Sequence, residues 1–93
     1  MKYRLKPTSR FQKDLKRIQK RGYQIQLIQD VVRKLSDGET LEAKYKDHSL
    51  TGNYIGFREC HIQPDWLLIY AIDKGQLVLT ASRTGTHSDL FDE

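Results

Sequence analysis

Three histidines stand out as the residues able to move protons near neutral pH: His48, His61 and His87. Each sits in a polar stretch, Lys46-Asp47-His48-Ser49, Glu59-Cys60-His61-Ile62 and Thr84-Gly85-Thr86-His87-Ser88-Asp89. Composition alone leaves two readings open, three surface or half-buried histidines or a set gathered for proton transfer. The separations of 13 and 26 residues contain no His-x-x-x-His or Cys-x-x-Cys pair, so no metal site is expected. Cys60 is the single cysteine, which excludes an intramolecular disulfide and a cysteine-based zinc site. No cofactor is expected.

Hairpin arithmetic brings several polar side chains to one end of a sheet. Residues on either side of a tight turn pair at a roughly constant index sum. A turn centred between Pro64 and Gln63 sets His61 opposite Trp66, and one centred near Lys74 and Gly75 sets Trp66 opposite Arg83. His61, Asp65, Trp66 and Arg83 should therefore cluster, within a residue or two. Such a cluster suits RNA cleavage by the strand's own 2′-OH. That reaction needs a base for the 2′ proton, an acid for the 5′-oxygen and a cation on the phosphate. Histidine serves the first two needs and the arginine fork the third. Trp66 opens an apolar strand, so a core role competes with a site role. Phe91, before Asp92-Glu93, either pins the tail to the body or stacks on a base.

The elements that must hold these residues are legible from period. Residues 2–6 alternate, with Tyr3 and Leu5 on one face, as in a short edge strand. Pro7-Thr8-Ser9 ends it and offers N-cap hydroxyls. Phe11, Leu15 and Ile18 form one helical stripe over residues 10–21, with Gly22 as its stop. Ile25, Ile28, Val32 and Leu35 form a second, ending at Ser36-Asp37-Gly38. Residues 39–54 show no sustained period and read as a loop with at most one extended piece. Ile55 to Ile62 is strand-like. The run Trp66-Leu67-Leu68-Ile69-Tyr70-Ala71-Ile72 suits a central strand covered on both faces. Asp73-Lys74-Gly75-Gln76 is a turn, and residues 77–82 form the next strand. The order β-α-α-β-β-β describes an α+β fold, a helical hairpin packed on one face of a mainly antiparallel twisted sheet.

At 93 residues the chain is one domain, residues 1–93, burying about 60–68% of its unfolded surface. Residues 1–34 carry a charge of +9 and residues 35–93 a charge of −5, within an overall +4. A cationic front half points to a polyanionic partner. The first helix supplies Lys13, Lys16, Arg17 and Lys20, either a solvated face or a binding surface for nucleic acid. No apolar run approaches the ~18 residues of a membrane span, and the start lacks a signal-peptide core, so a cytoplasmic protein with no membrane partner is expected.

Three segments carry a more specific signal. Residues 45–52 (Tyr-Lys-Asp-His-Ser-Leu-Thr-Gly), 58–70 (Arg-Glu-Cys-His-Ile-Gln-Pro-Asp-Trp-Leu-Leu-Ile-Tyr) and 83–91 (Arg-Thr-Gly-Thr-His-Ser-Asp-Leu-Phe) closely resemble the YafQ-type toxins of the RelE/ParE superfamily. These belong to bacterial type II toxin–antitoxin systems. The resemblance implies a RelE-like fold and a ribosome-dependent mRNA endonuclease that cuts in the A site without a metal ion and inhibits translation. It implies neutralisation by a RelB/DinJ-type antitoxin, contact with ribosomal RNA, and a toxin–antitoxin complex that binds operator DNA. The implied catalytic set is His48, His61, Asp65 and His87, with Arg83 on the phosphate. His87 would be the acid, Asp65 with His61 would lie on the base side, and Trp66 and Phe91 would shape the site. Two alternatives remain at this level. A ParE-like toxin would act on a protein such as gyrase and would not need the histidines. A non-catalytic nucleic-acid-binding module would depend on Lys13, Lys16, Arg17 and Lys20 instead.

Overall fold

A computed structural model describes residues 1–91 of the chain. Strand β1, Arg4–Pro7, is followed by helices α1, Ser9–Lys20, and α2, Ile25–Ser36. After a loop come β2, His48–Ser49, β3, Arg58–Gln63, β4, Trp66–Asp73, β5, Val78–Gly85, and a short helix α3, His87–Phe91. The sheet order is β1-β5-β4-β3-β2, with β1 parallel to β5 and every other pair antiparallel.

The helices begin and end where local chemistry dictates. Thr8 Oγ1 accepts the backbone N–H of Phe11 at 3.0 Å, capping α1. Phe11, Ile18, Ile28, Val31 and Leu35 then bury one stripe of the helical hairpin against the sheet. They meet Trp66, Leu68 and Tyr70, alternate residues of β4. The intervening Leu67 and Ile69 face the other way and are also fully buried, beneath Leu50, Tyr54, Phe57, Leu90 and Phe91. The apolar run of β4 is thus covered on both faces, as its composition requires.

Several expectations are corrected. Tyr3 is buried but lies just before β1, and Leu5, which pairs with Leu79 on the helical side, is 38% exposed, so the strand is shorter and less covered than its alternation suggests. Ile55 is 77% exposed and lies outside β3. The loop before β3 holds two single-turn helices, at residues 43–45 and 52–54, and the two-residue β2. Helix α3 has no counterpart in the periodicity reading.

Register is the largest difference. His61 pairs with Leu67 instead of Trp66, and Arg83 pairs with Ile69. The β4–β5 loop runs through residues 74–77, with Leu77 at a positive φ. A bulge then leaves Ser82 as an extra residue between the pairs Ile69–Arg83 and Tyr70–Ala81. A bulge reverses the alternation beyond it. Arg83 therefore shares the face of Ile69, and the next residue, Thr84, faces the helices.

Candidate active site

The sheet face away from the helical hairpin collects the polar residues. Cross-strand partners share a face, so His48 on β2, Glu59 on β3, Ile69 on β4 and Arg83 on β5 form one row across the sheet. The adjacent row is His61, Leu67 and Gly85. The β3–β4 turn adds Asp65, and the start of α3 adds His87.

The three imidazoles are neighbours. The His61 ring lies 5.8 Å from that of His87 and 6.5 Å from that of His48, centroid to centroid. Each ring is oriented from outside the cluster. His87 Nδ1 donates to Asp65 Oδ1 at 2.6 Å, and the His87 backbone N–H donates to the same oxygen at 3.0 Å. These two bonds, the backbone one first, hold the Asp65 carboxyl below its ordinary range. They also fix the His87 tautomer and leave Nε2 as the nitrogen open to a reactant. His48 Nδ1 lies 2.7 Å from the Lys46 carbonyl, and His61 Nδ1 lies 3.3 Å from that of Pro64.

Glu59 is the residue the sequence reading missed. Its side chain is nearly buried, yet Oε1 stands 3.6 Å from Nε2 of both His48 and His61. A carboxylate two residues before a histidine on a strand must share its face, and that spacing was the available signal. The loop bearing His48 is anchored by Asp47, which receives Nε and Nη2 of Arg58 at 3.3 and 3.0 Å and also the hydroxyl of Tyr70. Burial, then the bond to Asp47, raises the Tyr70 phenol above its ordinary value. Cys60, fully buried under the site, has its thiol pushed up to about 12 by desolvation, which leaves it protonated and inert.

Arg83 stands one row from His61 and is braced by α1. Its Nε and Nη2 donate to Asp14 at 2.6 and 3.1 Å, and Thr84 N donates to the same carboxylate at 3.2 Å. That pairing is the main cause of the raised pKa of Arg83. Asp14, 5% exposed, therefore links the basic helix to the phosphate-binding candidate.

One site assignment is corrected, that of Trp66, and Phe91 has a packing role. Trp66 is completely buried on the helical side. Its Nε1 donates to Thr84 Oγ1 at 2.9 Å, and its ring meets Tyr23 edge-on at 5.2 Å. It supports the turn carrying Asp65 but offers no surface to a base. Phe91 packs edge-on against Tyr54 at 5.8 Å, so it pins α3 to the sheet. Lys13, Lys16, Arg17 and Lys20 are all exposed, but α1 lies over the opposite face from the histidines, and the structure does not bring these four into the cluster.

Helix α3 is itself tied down at Asp89, which receives Arg21 Nη1 and Nη2 at 2.7 and 3.1 Å and the Thr86 N–H at 3.0 Å. Gly85 permits this approach, since a Cβ there would stand 3.0 Å from Asp89. Among the described residues, no three of His, Cys, Asp and Glu are arranged to hold a metal ion, and no helix is long and apolar enough to cross a membrane.

A helical hairpin on one face of a mixed five-stranded sheet, with a carboxylate–histidine cluster on the other, defines a RelE-like α+β protein. The fold matches the metal-bound toxin from Helicobacter pylori at a TM-score of 0.90 and 43% identity, over 98% of this chain and all of that one. It matches the DinJ-YafQ toxin–antitoxin complex of Escherichia coli at a TM-score of 0.87 and 35% identity, covering 98% and 99% of the two chains. In sequence, the mRNA interferase toxin YafQ of Escherichia coli K12 is 40% identical over 86 residues, 90% of each protein. Residues 3–92 match the family described as bacterial toxin of type II toxin-antitoxin system, YafQ, and the chain belongs to that family.

Proposed function

We propose that this protein is a ribosome-dependent mRNA endonuclease that cuts by metal-independent attack of the RNA 2′-OH. The observation that carries the reading is the His87–Asp65 pair, 2.6 Å across, with the His61 ring 5.8 Å from that of His87 and the His48 ring 6.5 Å beyond His61. Such a cluster supplies every proton transfer the reaction needs. The base takes the 2′-OH proton, the 2′-oxygen bonds to phosphorus, and the 5′-oxygen leaves with a proton from the acid. The 5′ fragment then ends in a 2′,3′-cyclic phosphate.

His87 acts as the acid through Nε2. Asp65 gives both contacts of Oδ1 to His87, so it orients the acid instead of serving on the base side. His61, central among the rings and backed by the Glu59 carboxylate, takes the 2′ proton, and His48 shares the developing positive charge at Glu59. Arg83 stabilises the phosphorane charge with the fork that Asp14 aligns. Each positioned acid or base contributes about 10²–10⁴-fold.

The relatives support the biological frame. The Escherichia coli relative is named an mRNA interferase and is solved in complex with DinJ. A DinJ-type antitoxin is the partner expected here, with ribosomal RNA as the polyanion for Lys13, Lys16, Arg17 and Lys20, operator DNA bound by the toxin–antitoxin complex, and the cytoplasm as the place of action.

The test is His87→Ala in a reconstituted ribosome assay and in growing cells. Cleavage should fall by at least about 10²-fold, growth arrest should disappear, and antitoxin binding should persist. Arrest equal to that of the unaltered protein would overturn the catalytic reading. The products should carry a cyclic or 3′-phosphate end, and a chelator added at constant Mg²⁺ should leave the rate unchanged. A free 3′-OH would require a different nucleophile.

A further inference from the structure

Beside the histidines, along the outer edge of β3 past the end of β2, lies a cavity of about 400 Å³ that the mechanism above leaves unused. His61 forms part of its wall, together with Leu27 and Asp30 of α2, Lys44 and Lys46 of the preceding loop, and Pro64 of the β3–β4 turn. Its volume lies within the range of small-molecule sites.

Three observations give this cavity a use. First, its lining holds the site: the carbonyls of Lys46 and Pro64 are the partners of His48 Nδ1 and His61 Nδ1. Second, residues 35–93 contain five Lys and Arg residues, and Lys44 and Lys46 are two of them. An otherwise acidic half places two of its five cations at this mouth. Third, Lys46 has a φ of 49°, a conformation that favours glycine, and yet bears a long cationic side chain.

We propose that the cavity is a nucleotide subsite of the cleavage centre, taking the nucleotide adjacent to the scissile phosphate of an RNA strand. The inference rests on the RNA-cleavage reading above. The phosphate of that nucleotide lies against Lys44 and Lys46, and its base against the apolar surfaces of Leu27 and Pro64. Asp30 accepts Gln26 Nε2 on Oδ1 at 2.9 Å, and its other oxygen accepts from an exocyclic amine. Adenine, cytosine and guanine carry that amine and uracil does not, so the subsite discriminates against uracil.

The probe is a short single-stranded RNA with a 2′-deoxynucleotide at the cleavage position, which binds without reacting. Its titration into the full-length protein should shift the backbone amides of Lys44, Lys46 and Gln63 together with those around His87. The double substitution Lys44→Ala with Lys46→Gly, glycine keeping the left-handed backbone, should weaken binding about tenfold. It should also flatten the salt dependence by about 0.7 in log–log slope, the value for one lost phosphate contact on a single strand. Asp30→Asn should shrink the preference for adenine over uracil at the flanking position.

Amide shifts confined to His48 and His87, or unchanged affinity and salt slope in the double variant, would overturn the subsite. The two readings fail separately. Unaltered protein that leaves ribosome-bound mRNA uncut, while the inert RNA still shifts Lys44 and Lys46, removes the catalytic reading and keeps the subsite. Cutting by the double variant with unchanged KM and base preference removes the subsite and keeps the catalytic reading.

Discussion

The two faces of the sheet are built from the same strands and do opposite work. On the helical side, Trp66, Leu68 and Tyr70 lie under α1 and α2. Polar atoms are few and satisfied, as where the Trp66 indole meets Thr84. On the other side, Leu67 and Ile69 provide a dry floor, and around it stand the exposed Asp65, the half-buried His87 and the more deeply set His61 and Glu59. β4 is apolar on both faces along its buried run. The site is made by its neighbours, whose polar residues alternate with core residues such as Cys60 and Leu79. Stability should therefore respond to one face and turnover to the other.

The strongest test of that division is a pair of truncations. Trp66→Ala removes a fully buried indole and should cost about 3–5 kcal/mol of stability, measured by denaturant unfolding. His87→Ala, at a side chain 40% exposed, should leave the unfolding midpoint within about 1 kcal/mol while abolishing cleavage. If Trp66→Ala kept full stability and lost cleavage alone, the core assignment would be wrong.

Asp14 is where the division should break. It belongs to the helical side and holds a guanidinium of the other face, so Asp14→Ala leaves Arg83, with a side chain only 12% exposed, short of its charge partner. The expected loss is about 3 kcal/mol, with cleavage falling as well. Arg83→Ala should share both effects, and the double variant should be less than additive because the two act as one unit.

Glu59→Gln sharpens the comparison from within the site. Shape is kept and the charge between His48 and His61 is lost. Cleavage should drop by about 10²-fold, the lower end for a positioned acid or base, with stability changed by no more than about 1 kcal/mol. An unfolding midpoint that collapsed instead would make Glu59 a structural residue.

These residues also show what a linear reading can reach. The stripes Phe11-Leu15-Ile18 and Ile25-Ile28-Val32-Leu35 and the apolar run at Trp66 expose the helices and central strand, because burial imposes period. The cluster of His61 and Asp65 was legible from hairpin pairing, and the placing of His48 and His87 in it came from motif resemblance. Arg83 was misplaced because a bulge at Ser82 and a long β4–β5 loop leave no mark in composition. Helix α3 is five residues long, too short for a period, and β2 has only two. Asp14 carries no mark in the linear reading, since its burial depends on β5, which lies about 70 residues away.

The finest test concerns how Asp65 is held. Its carboxyl is depressed from 3.8 chiefly by the His87 backbone N–H and secondarily by the ring. A carboxylate depressed in the folded state contributes stability above its unfolded pKa, and that contribution fades as pH falls through the folded value. His87→Ala removes the ring bond and keeps the backbone one. The Asp65 carboxyl, followed by NMR, should therefore rise only part of the way back, staying below 3.8, and its stabilisation should fade at a slightly higher pH than in the unaltered protein. Full return to the ordinary value would mean that the imidazole also holds the backbone contact in place. In that case the acid and its orienting carboxylate would form one cooperative unit, and the activity lost with His87 would include the disordering of the turn that carries Asp65.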